Sequence, residues 1–113
     1  MSTCIFCRVV AGDMPASIVY RDDDVVAFHD IAPQAPTHIL VVPVRHIASV
    51  AELGDDERDL AGRLITTAAH IAAQAGLQTG FRLVINTGRQ GGQSVDHLHV
   101  HILGGRQMKW PPG

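Results

Sequence analysis

The run His97-Leu98-His99-Val100-His101-Ile102 constrains this chain more than any other feature. Its period of two suits an extended strand, in which successive side chains point to opposite faces, and does not suit a helix. The alternation predicts a strand over residues 95–103 with three imidazoles on one face, neighbours about 7 Å apart. Leu98, Val100 and Ile102 fall on the other face and need an apolar partner. That face must dock on another element, which leaves the histidine face for a ligand.

The candidate partner is residues 55–75, where Leu60, Leu64, Ala68, Ile71 and Ala75 recur at helical spacing, acids crowd the first turn and Gly76 follows the end. Residues 5–11 predict a short helix stopped at Gly12. Residues 18–21 and 24–29 predict two strands turning at Asp22-Asp23, and residues 81–86 a further strand. The β-branched run at 38–43 has no polar alternation and predicts a central strand buried on both faces. Strands in short succession around one long helix give an α+β fold with a mainly antiparallel five-stranded sheet, one long helix and one short one.

With 113 residues, 46% of them hydrophobic, the chain suits one domain spanning 1–113 that needs no disulfide staple. A net charge of −2 without a basic stripe argues against a nucleic-acid partner. No apolar run approaches the ~20 residues of a membrane span and no export signal is visible, so a cytoplasmic location without a membrane partner is expected. In that setting Cys4 and Cys7 are expected as reduced thiols or metal ligands.

Imidazole suits chemistry at phosphorus, because a reference pKa near ~6.5 leaves a neutral, nucleophilic nitrogen at neutral pH. The neighbouring histidines, protonated or hydrogen-bonding, can then offset charge on phosphoryl oxygens. The segment Gly91-Gly92-Gln93-Ser94, just upstream, offers backbone N–H groups and a hydroxyl to an anion. Such a site needs no metal for catalysis.

The motif His97-Leu98-His99-Val100-His101-Ile102-Leu103 resembles the signature of the histidine-triad superfamily. The match continues through Phe28-His29-Asp30-Ile31, Pro33-Gln34-Ala35-Pro36-Thr37-His38, Gly91 to Val95 and Gly104 to Met108, and on to Trp110-Pro111-Pro112-Gly113. In these segments the chain is similar to the Hint branch, the histidine-triad nucleotide-binding proteins. The resemblance implies a hydrolase of purine nucleoside phosphoramidates, of the AMP-amine or AMP-lysine type, acting through a nucleotidyl-histidine. His99 would be the nucleophile, His101 and Ser94 would contact phosphate and leaving group, and His97 and His38 would be supporting histidines. Asp30 would bind the ribose, with Phe28 and Ile31 near the nucleoside and Asn86, Gly92 and Gln93 as further nucleotide contacts. It also implies a homodimer that shares its sheet, with Trp110 near the partner's site. Cys4 and Cys7 with His46 and His97 resemble a structural zinc set of bacterial members, which suits tetrahedral zinc.

Alternatives stand beside this reading. Asp30 and Asn86 are residue types that also serve as turn caps, and Trp110 can seal a core. The three histidines can form a catalytic zinc site, since His-x-His on a strand is a common arrangement. The chain can be a nucleotide-binding module without turnover, or a dinucleoside polyphosphate hydrolase of the same superfamily.

Overall fold

The computed structural model describes residues 2–113. Helix α1 (Ile5–Ala11) leads into strands β1 (Ile18–Arg21), β2 (Val25–His29) and β3 (Thr37–Pro43). Two single 3-10 turns, Val50–Glu52 and Asp55–Glu57, precede helix α2 (Arg58–Gln74), and β4 (Phe81–Val84) and β5 (Val100–Gly104) complete the sheet. The five strands are antiparallel in the order β1-β2-β3-β5-β4, an α+β fold with β3 at the centre, as its apolar run predicts.

Two layers cover this sheet, which is why β2 and β3 read as unbroken apolar runs. Val25, Ala27, Ile39, Val41, Leu98, Val100 and Ile102 face α2, where Leu64, Ala68, Ile71 and Ala72 close the larger core. The alternate residues Val26, Phe28, Leu40 and Val42 face α1 and pack on Phe6 and Val9. On β5 the apolar half of the alternation therefore belongs to the α2 core, and His101 belongs to the α1 face. Among the described residues no helix is long and apolar enough to cross a membrane.

Strand β4 ends two residues short of expectation, at Val84, β2 and β3 shift by one residue at their starts, and three further differences have a visible cause. The acids at 55–57 form a 3-10 turn in which Glu57 accepts from the Gly54 N–H at 2.9 Å, so the α-helix proper starts at Arg58. Ala75 lies past the last turn and is exposed, and Ala72 takes its place in the stripe. The strand expected over 95–103 begins only at Val100. Val41 pairs with Val100, so continuing the register would set Pro43 opposite Leu98, and proline has no N–H to extend the ladder. The Leu98 N–H instead donates to the Ile47 carbonyl at 2.7 Å, and the approach to β5 is irregular from 95 to 99.

Candidate active site and metal centre

The broken ladder separates the three histidines. His101 lies in β5, paired with Leu40 on one side and Val84 on the other. His99 stays on the same face, its ring 4.9 Å from that of His101. His97 is fully buried and turns toward His46, 5.0 Å away between ring centres. The expectation of three imidazoles in register on one strand face is thus corrected: two share a face and the third belongs to another cluster.

His99 and His101 line a cavity of about 260 Å³. Ser94, Phe28, Asp30 and Ile31 share its wall. Ile31 is 96% exposed at its mouth. The same wall contains residues that the sequence reading did not single out: Ile5, Phe6 and Val9 of α1, then Met14, Pro15 and Ala16, with His29 and Leu40 from the sheet. The spacing of Phe6 and Val9 on one face of a short helix was the available signal.

Backbone groups assign the protons on this face. His99 Nδ1 lies 2.7 Å from the His97 carbonyl oxygen, which can only accept, so Nδ1 carries the proton and Nε2 keeps its lone pair. The Gln34 N–H donates to His38 Nδ1 at 3.0 Å, which places the His38 proton on Nε2. That N–H donates to His101 Nδ1 at 2.9 Å, leaving His101 with a proton on Nε2. The site therefore presents one nucleophilic nitrogen and one imidazole N–H donor side by side. Burial, with the His99 and His38 rings adding to it and Asp30 opposing, pushes the His101 pKa down to about 4. Burial likewise lowers His38, against the pull of Asp30. Of the two expected states for the supporting histidines, the free site has the neutral, hydrogen-bonding one.

The turn roles weighed for Asp30 and Asn86 are both present. Asp30 Oδ1 accepts from the Ala32 N–H at 2.8 Å, and its Oδ2 lies 3.4 Å from His38 Nε2. Asn86, beyond the end of β4, donates through Nδ2 to the Gly91 carbonyl at 2.7 Å. Gln93 ties the same loop down, accepting from the Gly88 N–H and donating to the carbonyls of Ala48 and Val95. Gly92 sits at φ 79°, where side chains are strained. Asn86, Gly92 and Gln93 shape the loop that presents Ser94 and are not among the residues lining the cavity, nor are His38, His97 and Trp110. Trp110 is 86% exposed and seals no core.

His97 completes a second cluster. Its Nε2–H donates to the Pro43 carbonyl at 2.9 Å, which directs the Nδ1 lone pair at Cys4 Sγ (3.4 Å), Cys7 Sγ (3.5 Å) and His46 Nδ1 (3.2 Å). Cys7 Sγ lies 3.2 Å from His46 Nδ1, and all four donor atoms fall within 4.8 Å of one another. Tetrahedral zinc with bonds of about 2.3 Å to sulfur and about 2.0 Å to nitrogen separates its ligands by about 3.3–3.8 Å, so this S₂N₂ set fits it. The hydrogen bond behind His97 is the outer-shell partner such ligands use. Asp30, His38 and His101 also lie close enough to hold a metal, but the backbone donor at His38 Nδ1 keeps the Nε2 proton in place and makes this trio a hydrogen-bonded chain. Among the described residues the three motif histidines do not converge as one ligand set, which removes the support for a catalytic zinc site built from all three.

The model of the HIT domain family matches residues 11–108. A 14 kDa zinc-binding protein of Brassica juncea is 50% identical over 111 residues, covering 96% of this chain and 98% of that one. The adenylylsulfatase HINT1 of Arabidopsis thaliana is 49% identical over 114 residues, covering 99% of this chain and 78% of that one. The crystal structure of a HIT family hydrolase from Legionella pneumophila superposes with a TM-score of 0.96 at 46% identity, over 98% of this chain and all of that one.

Proposed function

The chain belongs to the HIT domain family, and from that premise we propose that it hydrolyses purine nucleoside phosphoramidates, of the AMP-amine or AMP-lysine type, through a covalent nucleotidyl-His99. The observation that carries the reading is the pair of opposite tautomers on one cavity wall: a lone pair at His99 Nε2 beside an N–H at His101 Nε2.

In this mechanism the nucleoside enters between Phe28 and Ile31, with Asp30 placed to accept from the ribose hydroxyls. His101 Nε2–H and the Ser94 hydroxyl donate to phosphoryl oxygens. His99 Nε2 attacks phosphorus. The substrate nitrogen takes up a proton from solvent, and the P–N bond then breaks with its electron pair passing to that nitrogen, so the amine leaves neutral. His99 becomes cationic, and its Nδ1–H bond to the His97 carbonyl strengthens as a charge-assisted one. Water then replaces His99 at phosphorus, releases a proton to solvent and frees AMP. The name of the Arabidopsis relative points to a second leaving group for the same site, sulfate from adenylyl sulfate.

Zinc bound to Cys4, Cys7, His46 and His97 would supply four bonds that tie α1 to the start of β5, a structural contribution. We also assign to this chain a homodimer built on the unpaired edge of β4, where Phe81 is exposed, and a cytoplasmic location. The test follows AMP release from an adenosine phosphoramidate and from adenylyl sulfate, with and without chelator, alongside His99→Ala. At saturating substrate, chelator-resistant release that disappears in His99→Ala is expected. Absence of release by the wild type would refute hydrolysis and favour a binding module, and immediate loss on chelation would move the chemistry to a metal.

A further inference from the structure

Helix α1 serves two sites at once. Cys4, at its N-cap, and Cys7 point into the S₂N₂ cluster, whereas Ile5, Phe6 and Val9 line the nucleoside cavity. The Phe6 ring stands edge-on to Phe28 at 5.4 Å, to His99 at 5.1 Å and to His97 at 6.0 Å. A seven-residue helix has no stability of its own and holds its place only through tertiary contacts. Among the described residues those contacts include the packing of Phe6, Val9 and Val10 in the core shared with β2 and β3, an exposed bond from Arg21 to the Val10 carbonyl, and the cluster. The far side of the cluster is His97, whose carbonyl receives the His99 Nδ1–H. The same four ligands thus touch the α1 wall of the cavity and the group that orients the nucleophile.

We propose that the Cys4–Cys7–His46–His97 centre sets the affinity of the cavity for nucleotide: zinc in the centre holds α1 as a finished wall, and nucleotide and zinc bind with positive coupling. This rests on the nucleotide and zinc readings above. Nucleotide packing against Phe6 and Val9 favours the conformation in which Cys4 and Cys7 are gathered, and gathered thiolates favour the metal. Coupling of this kind is reciprocal, so each ligand must tighten the other by one and the same factor. His97 acts here as a positioning residue, through its carbonyl and its ring together.

The test uses AMP, an unreactive product, as the probe. Calorimetry gives its Kd for the zinc-loaded chain and for the chain freed of metal by chelation, and competition with a chromophoric chelator gives zinc affinity with and without saturating AMP. The expected coupling is about tenfold in each direction, inside the usual span of such effects. His46→Ala removes an exposed ligand that does not line the cavity, so it carries the measurement should metal-free wild type lose its circular dichroism; it is expected to weaken zinc and AMP together. His70→Ala, on the exposed side of α2, is expected to change neither. Equal AMP affinity in folded loaded and metal-free protein, or zinc affinity indifferent to AMP, overturns the coupling even where AMP release proceeds. Failure of the loaded chain to bind AMP overturns the functional reading with it, and failure to take up zinc overturns the metal premise.

Discussion

Gly91 is the position where one added carbon separates the loop proposed to seat the phosphate from the rest of the molecule. A Cβ built there would sit 2.3 Å from the Thr87 carbonyl oxygen and 2.9 Å from the Thr87 nitrogen, about 1.1 Å short of the 3.4 Å at which ordinary contact begins. The obstacle is backbone, so no side-chain rotation relieves it. Gly91→Ala must therefore displace the loop by about 1 Å, stretch the 2.7 Å bond from Asn86, and carry Ser94 with it. A misplacement of that size costs about 10²-fold in catalysis. Because residues 88–92 are exposed, the fold itself loses little, and the melting temperature is expected to fall by no more than about 4 °C.

The assay is kcat/KM for AMP release from an adenosine phosphoramidate, with melting followed in the same samples. Gly62→Ala is the control: it lies within α2 with nothing within 4 Å of its added Cβ, and should keep kcat/KM while gaining about 0.8–1 kcal/mol from helix propensity. A Gly91→Ala protein with kcat/KM within threefold of wild type would refute the claim that this loop seats the phosphate. A drop in melting temperature above 10 °C would instead make the loop part of the fold.

Three further outcomes follow from the histidine geometry. His38→Ala removes the donor that fixes the His101 tautomer, and is expected to lower kcat by about 10–100-fold, the range for loss of an orienting partner, with KM moved far less; steady-state kinetics checks the split. His101 has a folded pKa of about 4, below its unfolded value, so folding favours its neutral form and stability is lost as pH falls from about 6.5 toward 4. Discounted for its partly exposed ring, the loss is about 1–2 kcal/mol; urea titrations at pH 7 and pH 4.5 should show a smaller drop in His101→Asn, and parallel drops would refute it. Removing zinc from a loaded sample withdraws a ligand that binds only the native state, about 4 kcal/mol at a thousandfold excess over Kd, and calorimetry should record a melting temperature lower by at least about 5 °C. An unchanged melting temperature would detach the metal from folding.

What could be seen in the sequence was what local period and composition determine. The unbroken run of β3, the stripe of α2 and the alternation around His101 each report a face that is covered or open; β3 and α2 fall within one to three residues of the expected bounds, whereas β5 starts five residues late. What was hidden depends on partners distant along the chain. His97 shares the alternation of His99 and His101, yet Pro43, more than fifty residues earlier, ends the ladder beside it and leaves a carbonyl that takes its Nε2–H. No pattern within 95–103 records that. The same holds for the tautomers: Gln34 and the carbonyl of His97 act through backbone atoms, which carry no residue signature. A triad that looks uniform as a motif is therefore three different groups, because the backbone facing each ring differs. In the proposed mechanism His99 serves as nucleophile by virtue of an acceptor at its Nδ1, His101 as donor by virtue of a donor at its own, and His97 as ligand by virtue of the carbonyl behind it. Exchanging residue types within the motif would not exchange these roles, since each role is fixed from outside it.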